Sequence, residues 1–363
     1  MRLSTIALFS VDAAPMTHRR APAPSDLATD TSRMSFPPAS RQRRAVLASA
    51  LLGLAAPVLA QPTAAPAAWP TRPVRILVGF PGGSTPDIAA RVLADPLARA
   101  LGQPVVVDNR PGASGNIAAD AVAKATDDHT LGIVINGNLT SSKLLYPRLP
   151  YDPARDFSEL SLIATAPLVL VAANDVPAGK DFLAAARASG TKWNYGSVGI
   201  GSVGHLGMEL LKDRVPGMDA QHVPYAGNPQ VVTAMIGGQV QLALVPPAIA
   251  IPQVRAGKLR AIGLTSGRST LAPDYAPLTE LGVRDFGLEV WTALLGPAGL
   301  SPEARARVTR EIAVIMKNPE VRQQLFDRGW QPVGTSPEGM RARVKEEAAI
   351  MGRIIQARGI TLQ

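Results

Sequence analysis

The sequence predicts an α/β protein of two lobes with a cleft between them, and three observations carry that prediction. Residues 76–135 alternate as βαβαβ, the mark of a parallel sheet with helices on its faces. A second alternation starts afresh at Trp193 and runs to Thr265. Two long extended apolar segments, residues 160–173 and 288–295, stand where one pattern stops and another starts. They read as hinge strands. The first lobe is therefore expected from residues 69–172 plus 291–363, and the second from residues 173–290.

In the first unit, Ile76-Leu77-Val78 is an apolar run that suits a strand buried on both faces. Pro81-Gly82-Gly83 then turns the backbone where no Cβ stands in the way of a ligand. Thr85 reads as an N-cap with Pro86 and Asp87 in the first turn, and Ile88, Val92, Leu93 and Leu97 recur at helical spacing. A kink or early break is expected at Pro96. The tip of this unit offers unpaired N–H groups and a positive helix end, which suit a carboxylate or phosphate without any arginine. Many α/β proteins use the same unit only as a tight connection.

Val105-Val106-Val107 makes a second strand, and Ser114-Gly115-Asn116 opens a short helix through Ala125. Residues 131–135 form a third strand that ends at Asn136-Gly137-Asn138. Beyond the first extended segment, residues 182–188 read as a helix. The second unit then opens with Trp193-Asn194-Tyr195 as a strand, residues 196–201 as a turn and residues 202–214 as a helix. A strand over 220–224 leads through Tyr225 to a helix ending near Gly237-Gly238, and strands at 240–245 and 259–265 complete the unit. Residues 302–317, 319–328 and 337–358 read as helices.

The chain has 363 residues, no cysteine and a net charge of +9. Its start reads as a leader. Arg41-Gln42-Arg43-Arg44 precedes the apolar run 45–56, and Val58-Leu59-Ala60 supplies a small-residue cleavage pattern, so cleavage is expected after Ala60. The run is shorter than the ~20 residues that span a bilayer, which disfavours an anchor. Arg43-Arg44 faintly resembles a twin-arginine signal, although ordinary Sec export is the plainer reading. Met34 is a candidate true start, with residues 1–33 an extension. Removing residues 1–60 takes away seven arginines and three acids and lowers the net charge to +5. No basic run remains, so no nucleic-acid partner is implied. Export without a disulfide framework fits the bacterial periplasm.

Two motifs test enzyme readings. Gly199-Ile200-Gly201-Ser202-Val203-Gly204 is a literal GxGxxG, but no aliphatic strand precedes it and no acid follows to hold a ribose. Ser197 within Tyr195-Gly196-Ser197-Val198-Gly199 resembles a nucleophile elbow with Tyr where the first Gly belongs. An exported serine hydrolase using Ser197 and His205 is thus the rival reading. His205 reads more simply as a packed histidine near a helix start. His129 and His222 stand isolated, and no spacing points to a metal site or other cofactor.

Several motifs occur in order along nearly the whole mature chain: Phe80-Pro81-Gly82-Gly83, Asp108-Asn109-Arg110-Pro111-Gly112, Leu145-Tyr146-Pro147, Asn194-Tyr195-Gly196-Ser197, His222-Val223-Pro224-Tyr225 and Ala256-Gly257-Lys258-Leu259-Arg260. Through them the chain resembles the Bug family, the periplasmic solute-binding proteins of tripartite tricarboxylate transporters. The resemblance implies a non-catalytic, type II "Venus flytrap" periplasmic-binding-protein architecture that closes on a small organic acid. It implies membrane permease subunits as partners; a sensor protein using the same cleft is a third reading, and a monomer is expected. The family's first loop usually reads Phe-Pro-Ala-Gly-Gly-x-Thr-Asp. Here Ser84 replaces a glycine and Pro86 removes a backbone donor, Gln241 stands where an acid is usual, and Pro246-Pro247 follow at the cleft edge.

The ligand's carboxylate is expected between two Gly-rich turns that lead into helices, residues 82–85 and 197–202. On the first lobe the candidate residues are Phe80, Pro81, Gly82, Gly83, Ser84 and Thr85, with Asp87 in the helix's first turn. Asn136 and Thr140 add amide and hydroxyl groups. On the second lobe they are Ser197, Gly199, Gly201, Ser202, His205 and Tyr225.

Overall fold

The first sheet grows from the strand–turn–helix unit, and the computed structural model describes residues 69–361. The expected export signal and its cleavage point lie outside those residues. β1 (Val74–Val78) is buried except at Arg75 and pairs in parallel with β2 (Val105–Asn109) and β3 (Thr130–Ile135). Its alternation feeds two cores. Ile76 and Val78 pack with Leu93 and Leu97, while Leu77 faces Val122 and Trp291. Helices α1 (Thr85–Leu101) and α2 (Asn116–Ala123) make the two crossovers.

The N-cap of α1 is Ser84 and not Thr85, because Ser84 holds the extended backbone (φ −72°, ψ 161°) that precedes the first turn. The expected break at Pro96 is absent: the helix runs through it to Gly102, whose left-handed backbone (φ 72°) ends it. Proline removes one backbone bond there, but the buried face of Val92, Leu93, Leu97 and Leu101 holds the helix on the sheet. α2 stops at Ala123, two residues short of the expected Ala125. Residues expected only to end β3 instead form a single-turn helix, α3 (Asn136–Leu139), followed by α4 (Ser142–Leu145).

β4 (Phe157–Pro167) pairs antiparallel with β10 (Glu289–Pro297), and β10 pairs antiparallel with β3. With the short β11 (Gln331–Pro332) at the edge, the strand order is β11-β4-β10-β3-β1-β2. The second sheet comprises β5 (Val169–Ala172), β6 (Asn194–Ser197), β7 (Gln221–Pro224), β8 (Leu242–Val245) and β9 (Arg260–Leu264), in the order β7-β6-β8-β5-β9. Its helices are α5 (Phe182–Ser189), α6 (Val203–Arg214), α7 (Asn228–Ile236) and α8 (Pro247–Arg255). The chain ends in α9 (Pro302–Ile315), α10 (Pro319–Asp327) and α11 (Pro337–Arg358). α9 and α11 pack on β4, and α11 also reaches α6.

The first extended segment is two strands in two different sheets. The change of sheet falls at Leu168, so β5 belongs to the second sheet although a boundary at 172/173 would give it to the first. The physical reason is pairing: Val169–Ala172 fill the gap between β8 and β9. The chain returns between β9 and β10, and Glu289 and Val290, expected in the second lobe, pair with β4 in the first sheet. No described helix is long and apolar enough to cross a membrane.

Candidate functional site: a cavity where four helices begin

Strands of both sheets end in turns that start helices, and four of these starts meet in one cavity. Ser84, Ser202, Gly227 and Pro246 are the N-caps of α1, α6, α7 and α8, and all four line it. The cavity encloses about 480 Å³, its open mouth included. Amides of a first helical turn lack intrahelical acceptors, and each start carries partial positive charge. At α6, Ser202 Oγ accepts the His205 N–H (3.3 Å), which leaves the lining residues Val203 and Gly204 without a helical acceptor for their N–H groups.

Ser84 is 2% exposed, and its Oγ is buried without a hydrogen-bond partner among the described residues. Such a hydroxyl costs about 1–3 kcal/mol until something bonds it. Thr85 Oγ1 accepts from Asn228 Nδ2 of the opposite lobe at 3.5 Å. The remaining wall is apolar, built from Phe80, Ile135, Leu168, Val198, Leu244 and Val290. None of the described residues lining it is charged.

The glycine tip stands outside this cavity. Gly82 and Gly83 are exposed, and the Gly83 N–H donates to Asp87 Oδ2 at 2.8 Å. The expected tip donor is thus consumed within its own loop. Asp87 also accepts from Arg91 and Asn109. Burial alone would raise its carboxyl, but the bonds from Arg91, Gly83 and Asn109 hold it below the usual range. Pro81 is half-buried beside the tip and does not line the cavity either.

Ser197 also lies off the cavity. Its Oγ sits 2.7 Å from His222 Nε2 and accepts the Gly199 N–H at 3.1 Å. His205 Nδ1 accepts the Gly201 N–H (3.2 Å), and the His205 and His222 rings lie 4.3 Å apart. Burial pulls both imidazoles down, His205 to about 4 and His222 to about 3, so both are neutral near pH 7. The serine thus meets His222 and not His205, and no carboxylate hydrogen-bonds either ring among the described residues. His222 looks isolated in sequence; the β6–β7 register sets it opposite Tyr195.

Asn136 and Thr140 support the cavity from behind. Asn136 Nδ2 donates to Glu289 O (3.0 Å) and to Glu347 Oε1 (2.5 Å), and Thr140 Oγ1 donates to Asn136 O. Glu347 also accepts from Trp291 Nε1 (2.5 Å). Burial wins over those donors and pushes the Glu347 carboxyl up to about 7. Gly199 and Tyr225 line a second, open-mouthed cavity of about 630 Å³ with the solvent at its mouth included, which shares Phe80 and Val198 with the first. Beside it the lobes are tied together: Ser114 Oγ donates to Ile200 O (3.1 Å), and Ser141 Oγ donates to Gly201 O (2.5 Å).

The structure therefore gathers Phe80, Ser84, Thr85 and Ser202 of the expected set at this cavity, and leaves Pro81, Gly82, Gly83, Asp87, Asn136, Thr140, Ser197, Gly199, Gly201, His205 and Tyr225 off it. Sequence reasoning missed Leu168, Leu244, Val290 and Asn228. Leu244 near the end of β8 and Ile135 at the end of β3 were findable, because ligands of open α/β sheets sit at the carboxyl ends of strands. Among the described residues no group of acids and histidines could hold a metal ion.

Two α/β lobes joined by two chain crossings, with a cavity between them at helix starts, define a two-lobed solute-binding protein of the periplasmic type. A model of the family described as tripartite tricarboxylate transporter family receptor matches residues 89–360, and the chain belongs to that family. It is 32% identical over 319 residues to Protein BugT of Bordetella pertussis, covering 86% of this chain and 96% of that one. It is 34% identical over 297 residues to a UPF0065 protein of Pseudomonas sp. strain P51, covering 79% of this chain and 87% of that one. Among solved structures, Rpa4515 of R. palustris with adipate matches with a TM-score of 0.77 at 32% identity, over 81% of this chain and 100% of that one. MatC of Rhodopseudomonas palustris with bound malate matches with a TM-score of 0.73 at 29% identity, over 79% and 100%. The periplasmic binding protein BugD matches with a TM-score of 0.76 at 25% identity, over 81% and 100%. The family is one of receptors and not of enzymes, and the hydrolase reading of Ser197 and His205 finds no support.

Proposed function

We propose that this chain is an exported receptor that captures a small organic acid between its lobes and delivers it to a tripartite tricarboxylate-type permease. One observation carries the reading: four helix starts converge on a cavity where, among the described residues, the buried Ser84 Oγ has no partner and no acidic side chain repels an anion. The bound adipate and malate of two similar structures support it. In this reading the carboxylate is held by the Ser84 hydroxyl and the Thr85, Val203 and Gly204 amides, with Ser202 and Asn228 beside them. Residues 69–167 with 289–361 move against residues 169–264, and occupancy favours closure through contacts the open state lacks. The receptor is a monomer, released by cleavage after Ala60, so mass spectrometry of the exported protein finds Gln61 at its N-terminus.

Isothermal titration of the mature chain against a panel of organic acids tests the function. Saturable binding with recovery of unaltered ligand is expected. Turnover, or binding only of cations and sugars, contradicts it.

A further inference from the structure

A second feature of the cavity bears on which acid it takes: its hydrogen-bond donors are concentrated at few points. Three of the four helix starts carry a proline in the first turn, Pro86 in α1, Pro229 in α7 and Pro247 in α8, and each lacks an N–H. At α8 the N-cap is itself Pro246, so two successive residues there offer nothing. Only α6 begins without a proline, on Val203 and Gly204. Side-chain donors follow the same distribution, with Ser84 next to Thr85 at α1 and Asn228 reaching Thr85 Oγ1 from the opposite lobe.

The rest of the wall is Ile135, Leu168, Leu244 and Val290, with Phe80 and Val198 on the side shared with the second cavity, and none of the six can donate from its side chain. A carboxylate lodged against them loses its water and gains no donor, which is costly for an ion. An alkyl or aryl group placed there gains from leaving water.

We infer that the cavity selects monocarboxylic acids whose body is uncharged and apolar, in preference to di- and tricarboxylates. This inference rests on the carboxylate reading above. One carboxylate meets Ser84 and the α1 and α6 amides, and the body of the ligand fills the apolar wall.

The test is titration of the mature protein with two matched sets, hexanoate, adipate and hexanamide, then benzoate, terephthalate and benzamide. Within a set the members share a skeleton and differ in charged ends. A monoacid that binds roughly tenfold or more tighter than its diacid supports the inference. A diacid that binds as tightly or tighter overturns it while leaving the carboxylate reading intact. An amide that matches its monoacid overturns the carboxylate reading itself. If neither monoacid binds at millimolar concentration, the inference fails. Pro247→Ala, which returns an N–H to the start of α8, narrows the monoacid-to-diacid ratio; an unchanged ratio contradicts the donor argument.

Discussion

Leu168 and Thr265 exchange two hydrogen bonds where the chain passes between lobes: the Leu168 N–H donates to Thr265 Oγ1 and the Thr265 N–H to Leu168 O, each at 2.9 Å. Thr265 Oγ1 then donates to Leu288 O at 2.7 Å, and the Leu288 N–H returns to Thr265 O at 3.0 Å. One buried threonine thus joins the first crossing to the segment that begins the second. Leu168 also lines the cavity, so the hinge and the site share a residue. Thr265→Val keeps the shape but leaves the buried Leu168 N–H without its acceptor. It should lower unfolding free energy by about 1–3 kcal/mol. Urea denaturation of the mature chain measures this, and an unchanged midpoint would remove the threonine from the hinge.

The ties at the cleft mouth set how readily the lobes part. Ser114 and Ser141 donate across it to the carbonyls of Ile200 and Gly201. In an open state those carbonyls pass to water, so each bond is worth about 1 kcal/mol net. The double variant S114A/S141A should shift the population toward open and weaken apparent affinity by up to roughly thirtyfold, the two bonds together being worth about 2 kcal/mol, since ligand binds only the closed fraction tightly. Small-angle scattering without ligand should show a larger radius of gyration than the parent. Equal radii and equal affinities would mean the ties do not govern closure.

Ser84 and Gly83 are neighbours with opposite expected behaviour. Ser84→Ala removes a buried, unpartnered hydroxyl, so the unliganded protein should be as stable as the parent or slightly more so. Affinity for an acid should fall by on the order of 1 kcal/mol or more. Gly83 sits at φ +78° with nothing within 4 Å of an added Cβ, so Gly83→Ala costs stability through its backbone alone. Its affinity should match the parent. Calorimetry on both variants separates the cavity from the glycine tip, and loss of binding in Gly83→Ala alone would return the site to the tip.

Much of this was legible in the sequence. The strand–turn–helix unit, the second α/β unit and the two extended segments follow from apolar periodicity and punctuation by glycine and proline. Phe80, Ser84, Thr85 and Ser202 were within reach because helix-start chemistry is local. Which N–H groups remained free was not. Gly83 looks available in sequence and is taken by Asp87, four residues on, whose role depends on Arg91 and Asn109 packing around it. Ser197 likewise looks poised and is tied to His222, which only strand register brings near. The apolar wall is not legible in sequence because Leu168 and Val290 come together only through the antiparallel pairing of β4 with β10, and Leu244 joins them from the second sheet.

Glu347 gives the fold a pH dependence of definite sign. Its carboxyl rises from 4.5 to about 7 because burial outweighs the bonds from Trp291 and Asn136 and the nearby Arg343. Between those values the folded chain keeps a proton that the unfolded chain has released. The contribution to stability is therefore full below 4.5 and is lost as pH rises through about 7, by up to a few kcal/mol. The lowered values of His205 and His222 act in the opposite sense, removing stability as pH falls below 6.5. Glu347→Gln should remove the fall in stability between about pH 6.5 and 7 and steepen the rise from pH 4.5 to 6.5, where the two histidines then act unopposed. A variant profile parallel to the parent's throughout would show that Glu347 does not titrate there.

The most direct measurement is a crystal structure of the mature chain with the tightest-binding acid of the panel. A carboxylate within hydrogen-bond distance of Ser84 Oγ and the Thr85, Val203 or Gly204 amides, with lobes closed over it, is the predicted result. A ligand carboxylate seated at Gly82 and Gly83, or one lodged only in the cleft-mouth cavity beside Tyr225, would contradict it.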